Sequence, residues 1–255
     1  MIKILKNKNI YIKKIKNANN YDIWLVNGGY IRKNINENFV EYDHHLNHSF
    51  VPKNELWVDN ETNPDEWIFF IDHMFAELNL VKKTGKNIKE VAGEADVLEK
   101  QKREMELKKK HLYKLKNDHK ELLGKVRKKF LEKYSNDNVK IWLVDGRMVR
   151  DFFFVEYAEG GHDKVYGFIP ENEIWIDEIL PPEEIKFIIF HELRERNLMI
   201  GGKNYREAHK GATLAEDYYR DHPEKLNMKI KKEMENESPR DKTAKYQSFV
   251  KIHHP

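Results

Sequence analysis

No cysteine occurs among the 255 residues, so neither a disulfide nor a thiolate-bound metal is open to this chain, and the composition fits a reducing compartment. Any metal must be held by histidine and carboxylate. No stretch approaches the roughly twenty consecutive apolar residues that span a bilayer, and no membrane-crossing helix is expected. The basic start, MIKILKNKNIYIKKIKN, breaks its apolar residues with Lys and Asn and never builds the apolar block of an export signal; it predicts a strand. Proline is missing from residues 88–134, where only Gly93 and Gly124 interrupt helical sequence. What is abundant is charge: 35% of residues are Asp, Glu, Lys or Arg and the mean hydropathy is −0.82, which predicts much solvated surface around modest cores.

The chain answers itself. IWLVNGGYIR at 23–32 matches IWLVDGRMVR at 141–150, and FVPKNELWVD at 50–59 matches FIPENEIWID at 168–177, both at an offset of 118. Pro64, His73 and Glu77 meet Pro182, His191 and Glu195 at the same offset, and KNIKEVAGEADVLE (86–99) meets KNYREAHKGATLAE (203–216) one residue earlier. A repeat of this length predicts two domains of one kind. In each, the Asn-Gly or Asp-Gly pair reads as a hairpin turn, a further β segment follows, and a helix then starts at Pro with Glu183 and Glu184 in its first turn. Ile185, Ile188, Ile189 and Leu193 form its apolar stripe, Gly201 and Gly202 end it, and a second helix runs over about 203–220. The predicted class is α+β: two tandem repeats of a small antiparallel-sheet domain with two helices. The expected boundaries are 1–99 for the first copy, 88–134 for a long basic helical connector, 135–222 for the second copy and 223–255 for a helical or loose tail.

Unbroken, the connector helix would reach roughly 70 Å. Residues 100–133 hold fourteen basic and five acidic side chains, so the basic character is local. Leu98, Met105, Leu112 and Val126 share one heptad position and Leu115 and Leu122 another, a pattern for a weak coiled coil or a helix lying along a partner, including a second copy of the chain.

The chemistry concentrates in FHELRERNLM (190–199). On a helix His191 and Glu195 project from one face with Cβ atoms about 5 to 6 Å apart, close enough to reach one ion. His209 on the next helix completes the set His191, Glu195 and His209, with a position left open as a catalytic zinc requires. Glu192, one position round, sits where a general base would serve a metal-activated water. His162 is a candidate fourth ligand or transition-state donor, Arg196 a candidate oxyanion stabiliser beside its reading as an ion-pair partner, and Glu216, seven residues past His209, a residue to orient it. The first copy keeps His44, His73 and Glu77, but Met74 stands for Glu192 and Ala92 for His209. A packing role for the retained residues, or a weaker metal site there, stays open. Trp57 and Trp175, at matching places, read as structural.

GGH, FIPENEIWID, FHELRERNLM and YREAHKGATLAE together resemble a pattern of small, mostly uncharacterised proteins from phages and other microbial genomes, in which H-E-x-x-E-R precedes Y-x-x-A-H-x-x-A-x-x-x-E. That group is similar to zincin-type metallopeptidases, although Glu195 stands where their second histidine falls. The resemblance covers about 139–222 well and about 21–99 in degraded form. It implies a zinc-dependent peptidase with its site in the second copy, acting on protein or peptide. Two other readings stay open: a non-catalytic phage virion structural or assembly protein whose partners meet residues 88–134, and a binding protein whose basic helix contacts nucleic acid or an acidic protein. The location expected is cytoplasmic, or virion-associated for a phage source, with no membrane partner.

Overall fold

The computed structural model describes residues 8–36 and 38–235; the closing KIHHP lies outside them. Two compact units divide between Lys114 and Leu115. Unit 1 runs β1 (Tyr11–Ala18), β2 (Tyr21–Val26), α1 (Gly28–Asn34), β3 (Tyr42–His44), β4 (Glu55–Asp59), α2 (Trp67–Thr84) and α3 (Ile88–Lys109). Its sheet has the order β1-β2-β4-β3, with β2 and β4 parallel and both edge strands antiparallel to their neighbours.

The sheet is therefore mixed, where an antiparallel one was expected. The cause lies at Asn27-Gly28, which makes no hairpin. Asn27 caps α1, its side chain accepting the Tyr30 N–H at 2.9 Å, and Asp145 does the same for Met148 at 3.0 Å in unit 2. Gly28 and Gly146 are needed for close approach, since a Cβ on either would overlap the carboxylate of Asp59 or Asp177. The chain thus leaves β2 through a short helix and returns by β3, so β4 enters alongside β2 in the same direction. The unit 1 hairpin is one turn earlier, between β1 and β2, where Asn19 and Asn20 take positive φ (50° and 67°).

Unit 2 contains α4 (His119–Val126), β5 (Arg127–Phe130), β6 (Lys140–Val144), α5 (Gly146–Phe152), β7 (Gly160–His162), β8 (Glu173–Asp177), α6 (Pro182–Ile200), α7 (Tyr205–Asp221) and α8 (Leu226–Glu235). Its order is β5-β6-β8-β7, with β6 and β8 parallel. Every residue of β8 is buried because the sheet is covered on both faces. Ile174 and Ile176 join Ile188, Ile189, Phe190 and Leu193 of α6, while Trp175 points the other way, into a core with Val144, Val149 and Tyr157. Trp175 Nε1–H donates to Glu173 at 2.9 Å and Trp57 Nε1–H to Glu55 at 2.7 Å, which satisfies both buried indoles.

The continuous helix expected over 88–134 is interrupted. α3 stops at Lys109, His111 takes a left-handed φ of 57°, a 3-10 turn covers Tyr113–Asn117, and Asp118 caps α4. The apolar residues explain the break: Leu115, Leu122 and Val126 are drawn into the unit 2 core beside Trp175, whereas Leu98, Met105 and Leu112 remain exposed. Arg127, Lys128 and Lys129 lie on an edge strand, where cations discourage strand-to-strand association. Of the helical or loose tail expected from 223, the described part is helical, and α8 packs against the domain, with Leu226 and Ile230 buried in the core with α6. Glu233 anchors that helix, accepting from Arg194 at 3.2 Å and Asn197 at 3.0 Å. Among the described residues no helix is long and apolar enough to cross a membrane.

Candidate metal centre

Three elements of unit 2 bring the candidate residues together. α6 presents His191 and Glu195 one turn apart with Glu192 between them; α7, returning after the Gly201-Gly202 turn, presents His209 and Glu216; the edge strand β7 presents His162. The turn requires Gly202, whose φ is 95°.

His191 Nε2, His209 Nδ1 and Glu195 Oε2 converge. Their separations are 3.5 Å for His191 to Glu195, 3.3 Å for His191 to His209 and 2.7 Å for His209 to Glu195. A tetrahedral ion with bonds of about 2.0 to 2.1 Å needs ligand atoms about 3.3 Å apart, so two edges already match and the third must open by about half an ångström. His209 is half exposed on its side chain, which leaves an approach from solvent, and the Tyr205 ring stacks on it at 5.5 Å.

The neighbours define which atoms are available. Glu216 Oε2 lies 2.7 Å from His191 Nδ1, so Nδ1–H is donated there and Nε2 faces the centre. Glu216 thus orients His191, and not His209 as the spacing on α7 suggested: seven residues place it roughly 10 Å along the axis from His209, while the helix packing puts His191 directly opposite. His162 is fixed as well. The Lys164 backbone N–H donates to its Nδ1 at 3.1 Å, so the ring proton sits on Nε2 and is donated to Glu195 Oε1 at 3.0 Å. In this tautomer His162 is neither a ligand nor a free oxyanion donor. It turns Glu195 so that Oε2 meets the two histidines. A second cluster, His162, Glu192 and Glu195, also has its potential ligand atoms within 4.8 Å of one another, but the committed Nε2 proton makes it the poorer cation site.

Arg196 is 2% exposed and donates to Asp163 at 2.6 Å and to Asn172 at 2.9 Å. It ties down the loop after β7, a structural use that leaves it poorly placed for the oxyanion role.

Charge is distributed unevenly. Burial acts to raise the Glu195 carboxyl, but hydrogen bonds from His162, His191 and His209 overrule it and hold the group well below the usual carboxylate range. Burial acts to lower His191, and its bonds to Glu195 and Glu216 reverse that and raise it well above an ordinary imidazole. Glu192 receives no such help. Burial and then the charge of Glu195 push it up to about 8, so at neutral pH the protonated form is favoured.

Gly160 makes room for it. A Cβ there would lie 2.8 Å from Ile188 Cγ2 and 3.2 Å from Glu192 Oε1. Glu159, just before it, takes φ 58° and closes a γ-turn in which Gly160 N–H donates to Ala158 O at 2.5 Å, aiming the strand at α6. Gly160→Ala is expected to cost about 1–3 kcal/mol by overpacking; an unchanged urea midpoint would show that Ile188 and Glu192 yield freely.

Unit 1 places matching side chains in a similar arrangement. His44 Nε2 lies 3.1 Å from Glu77, His73 Nε2 lies 3.7 Å from Glu77, and His73 Nδ1 lies 2.9 Å from Glu99. The Leu46 N–H donates to His44 Nδ1, the tautomer found at His162. Yet Met74 and Ala92 occupy the places of Glu192 and His209, and where unit 2 has Gly160, unit 1 has Tyr42. That ring stacks on Phe70 at 4.6 Å and meets His73 edge-on at 5.5 Å. The chain matches no family model, no curated protein and no solved structure.

Proposed function

We propose that unit 2 is a metal-dependent hydrolase centre of zincin-like type acting on peptide bonds, and that the two units arose by tandem duplication, unit 1 having lost the chemistry. The observation that carries this reading is the convergence of His191 Nε2, His209 Nδ1 and Glu195 Oε2 at spacings near those of a tetrahedral site, with His191 held by Glu216 and Glu195 by His162, neither of them a proposed ligand. When bound, a zinc-like ion would supply Lewis-acid activation of water or of a carbonyl oxygen. His191 and His209 would bind it as neutral donors and Glu195 as an anion. Glu192 would accept a proton from water and return it to the departing nitrogen. A nearby cation favours its ionised form, so the value of about 8 in the metal-free protein would fall on metal binding. The equal strand orders β1-β2-β4-β3 and β5-β6-β8-β7, together with the 118-residue offset, support the duplication.

A second reading, a non-catalytic virion structural or assembly protein, draws on one observation. Unit 1 retains a fully buried Glu66–Arg103–Glu99 chain behind His73 although Met74 and Ala92 leave nothing for it to serve, so there the same framework acts as a building block.

Elemental mass spectrometry on protein purified without chelator separates the two. The expected content is about one zinc per chain, lost in His191→Ala, Glu195→Ala and His209→Ala. No metal after zinc is added back would sink the hydrolase reading, and iron in its place would shift it toward oxygen chemistry, since two histidines and a carboxylate also suit ferrous iron. Given zinc, Glu192→Gln should lower peptide hydrolysis by roughly 10²–10⁴-fold.

A further inference from the structure

Behind Glu216 the hydrogen-bonded chain continues. Arg220 donates from Nε to Glu216 Oε1 at 2.8 Å and from a terminal nitrogen to the same oxygen at 2.7 Å. Its other terminal nitrogen reaches Glu184 Oε2 at 2.7 Å, and its guanidinium lies 4.6 Å over the Phe187 ring. Glu184 is in the first turn of α6 and His191 two turns further along the same helix. The chain Glu184, Arg220, Glu216, His191 therefore leaves α6, crosses to α7 and returns, tying the two helices at two levels.

We propose that Arg220 and Glu184 are positioning residues for the metal centre, an inference that rests on the hydrolase reading above. Two constraints follow from the geometry. Arg220 occupies Glu216 Oε1, so Oε2 is left for His191 Nδ1–H and the imidazole cannot rotate its Nε2 away from Glu195. The Arg220–Glu184 tie also fixes the register of α7 along α6, and His209, three helical turns before Arg220, takes its position from that register. The arrangement is not incidental to one helix pair. In unit 1 the residues at the matching positions, Glu66, Arg103, Glu99 and His73, make the same chain, with Arg103 2.8 Å from Glu66 and 2.7 Å from Glu99 and 4.5 Å over Phe69, the counterpart of Phe187. What differs is the end of the chain: unit 2 has His209 to be registered, and unit 1 has Ala92.

A purely structural tie and a positioning tie make different predictions. Arg220→Met is expected to weaken zinc binding about ten-fold, the lower end of what is found for groups that orient a ligand, measured by competition with a chelating dye. The His191 Nδ1–H proton, expected downfield and slow to exchange in the wild type because of its short bond to Glu216, should broaden or move upfield. Arg127→Met serves as the structural control. It breaks the Arg127–Glu173 pair (2.6 Å) at the opposite edge of the sheet, and should lower the melting temperature while leaving zinc affinity and the His191 signal in place. If Arg220→Met behaves like Arg127→Met, with lower melting but equal affinity and an unmoved signal, the proposal is wrong. Should Arg220→Met fail to fold, Arg220→Lys keeps the charge but loses the two-point hold on Glu216; a smaller loss of affinity is expected, and none in a folded protein would overturn the proposal. Wild-type protein that binds no zinc would defeat the hydrolase reading alone, because the His191 Nδ1–H signal of the metal-free wild type against Arg220→Met still decides whether the chain positions that ring.

Discussion

Glu192→Gln is expected to make the metal-free protein more stable than wild type at pH 8, with the two converging as the pH falls toward 5. The carboxyl is raised in the folded protein to about 8 by burial and by the Glu195 charge, so the fold favours its protonated form. Stability from a group raised in this way is complete below its unfolded value near 4.5 and is lost as pH climbs through the interval up to about 8. A displacement of that size carries on the order of 4 kcal/mol. Glutamine has the shape of the protonated acid and no proton to lose, so the variant escapes the decline. Chelator-treated protein unfolded in urea at intervals from pH 5 to 9 gives the comparison. Parallel curves for the two proteins would mean that Glu192 ionises alike in the folded and unfolded chain, and the proposal that it exchanges a proton at this site would lose its basis.

The second large effect belongs to unit 1. Arg103→Met should destabilise that unit by about 3–5 kcal/mol, the usual consequence of removing one partner from a buried ion pair. Arg103 and Glu66 side chains have no exposed area and Glu99 has 1%, so two carboxylates would be left in the interior without their cation. Glu66→Gln, which removes one charge and keeps the shape, should cost less. In unit 2 the matching arginine, Arg220, is 34% exposed, and water would soften the same deletion. Denaturation of Arg103→Met and Glu66→Gln, followed by the fluorescence of Trp24, Trp57 and Trp67, tests the order. An Arg103→Met unit as stable as wild type would show that Glu66 and Glu99 protonate or reach water at little cost.

Some of this was legible in the residues alone and some was not, for physical reasons that differ by element. α6 was legible because its start, stripe and stop are local: Pro182, Glu183 and Glu184, then Ile188, Ile189 and Leu193, then Gly201-Gly202. The pairing of His191 with Glu195 follows from helical spacing, and His209 from an antiparallel return after the glycines. The parallel pairing in the sheet was not legible because Asn-Gly serves both as a hairpin turn and as a cap with its first helical residue, and only the approach of Asp59 and Asp177 to those glycines tells the two apart. The break in the connector was not legible because unbroken helical propensity says nothing of which core claims Leu115, Leu122 and Val126. The partner of Glu216 depended on the packing of two helices, and the fixed tautomer of His162 on one backbone N–H. Neither leaves a trace in spacing. The contrast of Gly160 with Tyr42 is present when the matching segments are aligned, but its meaning required knowing that β7 passes over Glu192.

If the two units share an ancestor that carried the proposed centre, Tyr42 acts as a ratchet. Once a ring fills the space beside His73, restoring a carboxylate at Met74 finds that space taken, and restoring a histidine at Ala92 brings a ligand to a centre whose wall has closed. Each single reversion is then without benefit, and three coordinated changes are needed to return. On that history, loss of function in one half of such a chain would become permanent through packing, well before the buried histidines and carboxylates that had served it had reason to disappear.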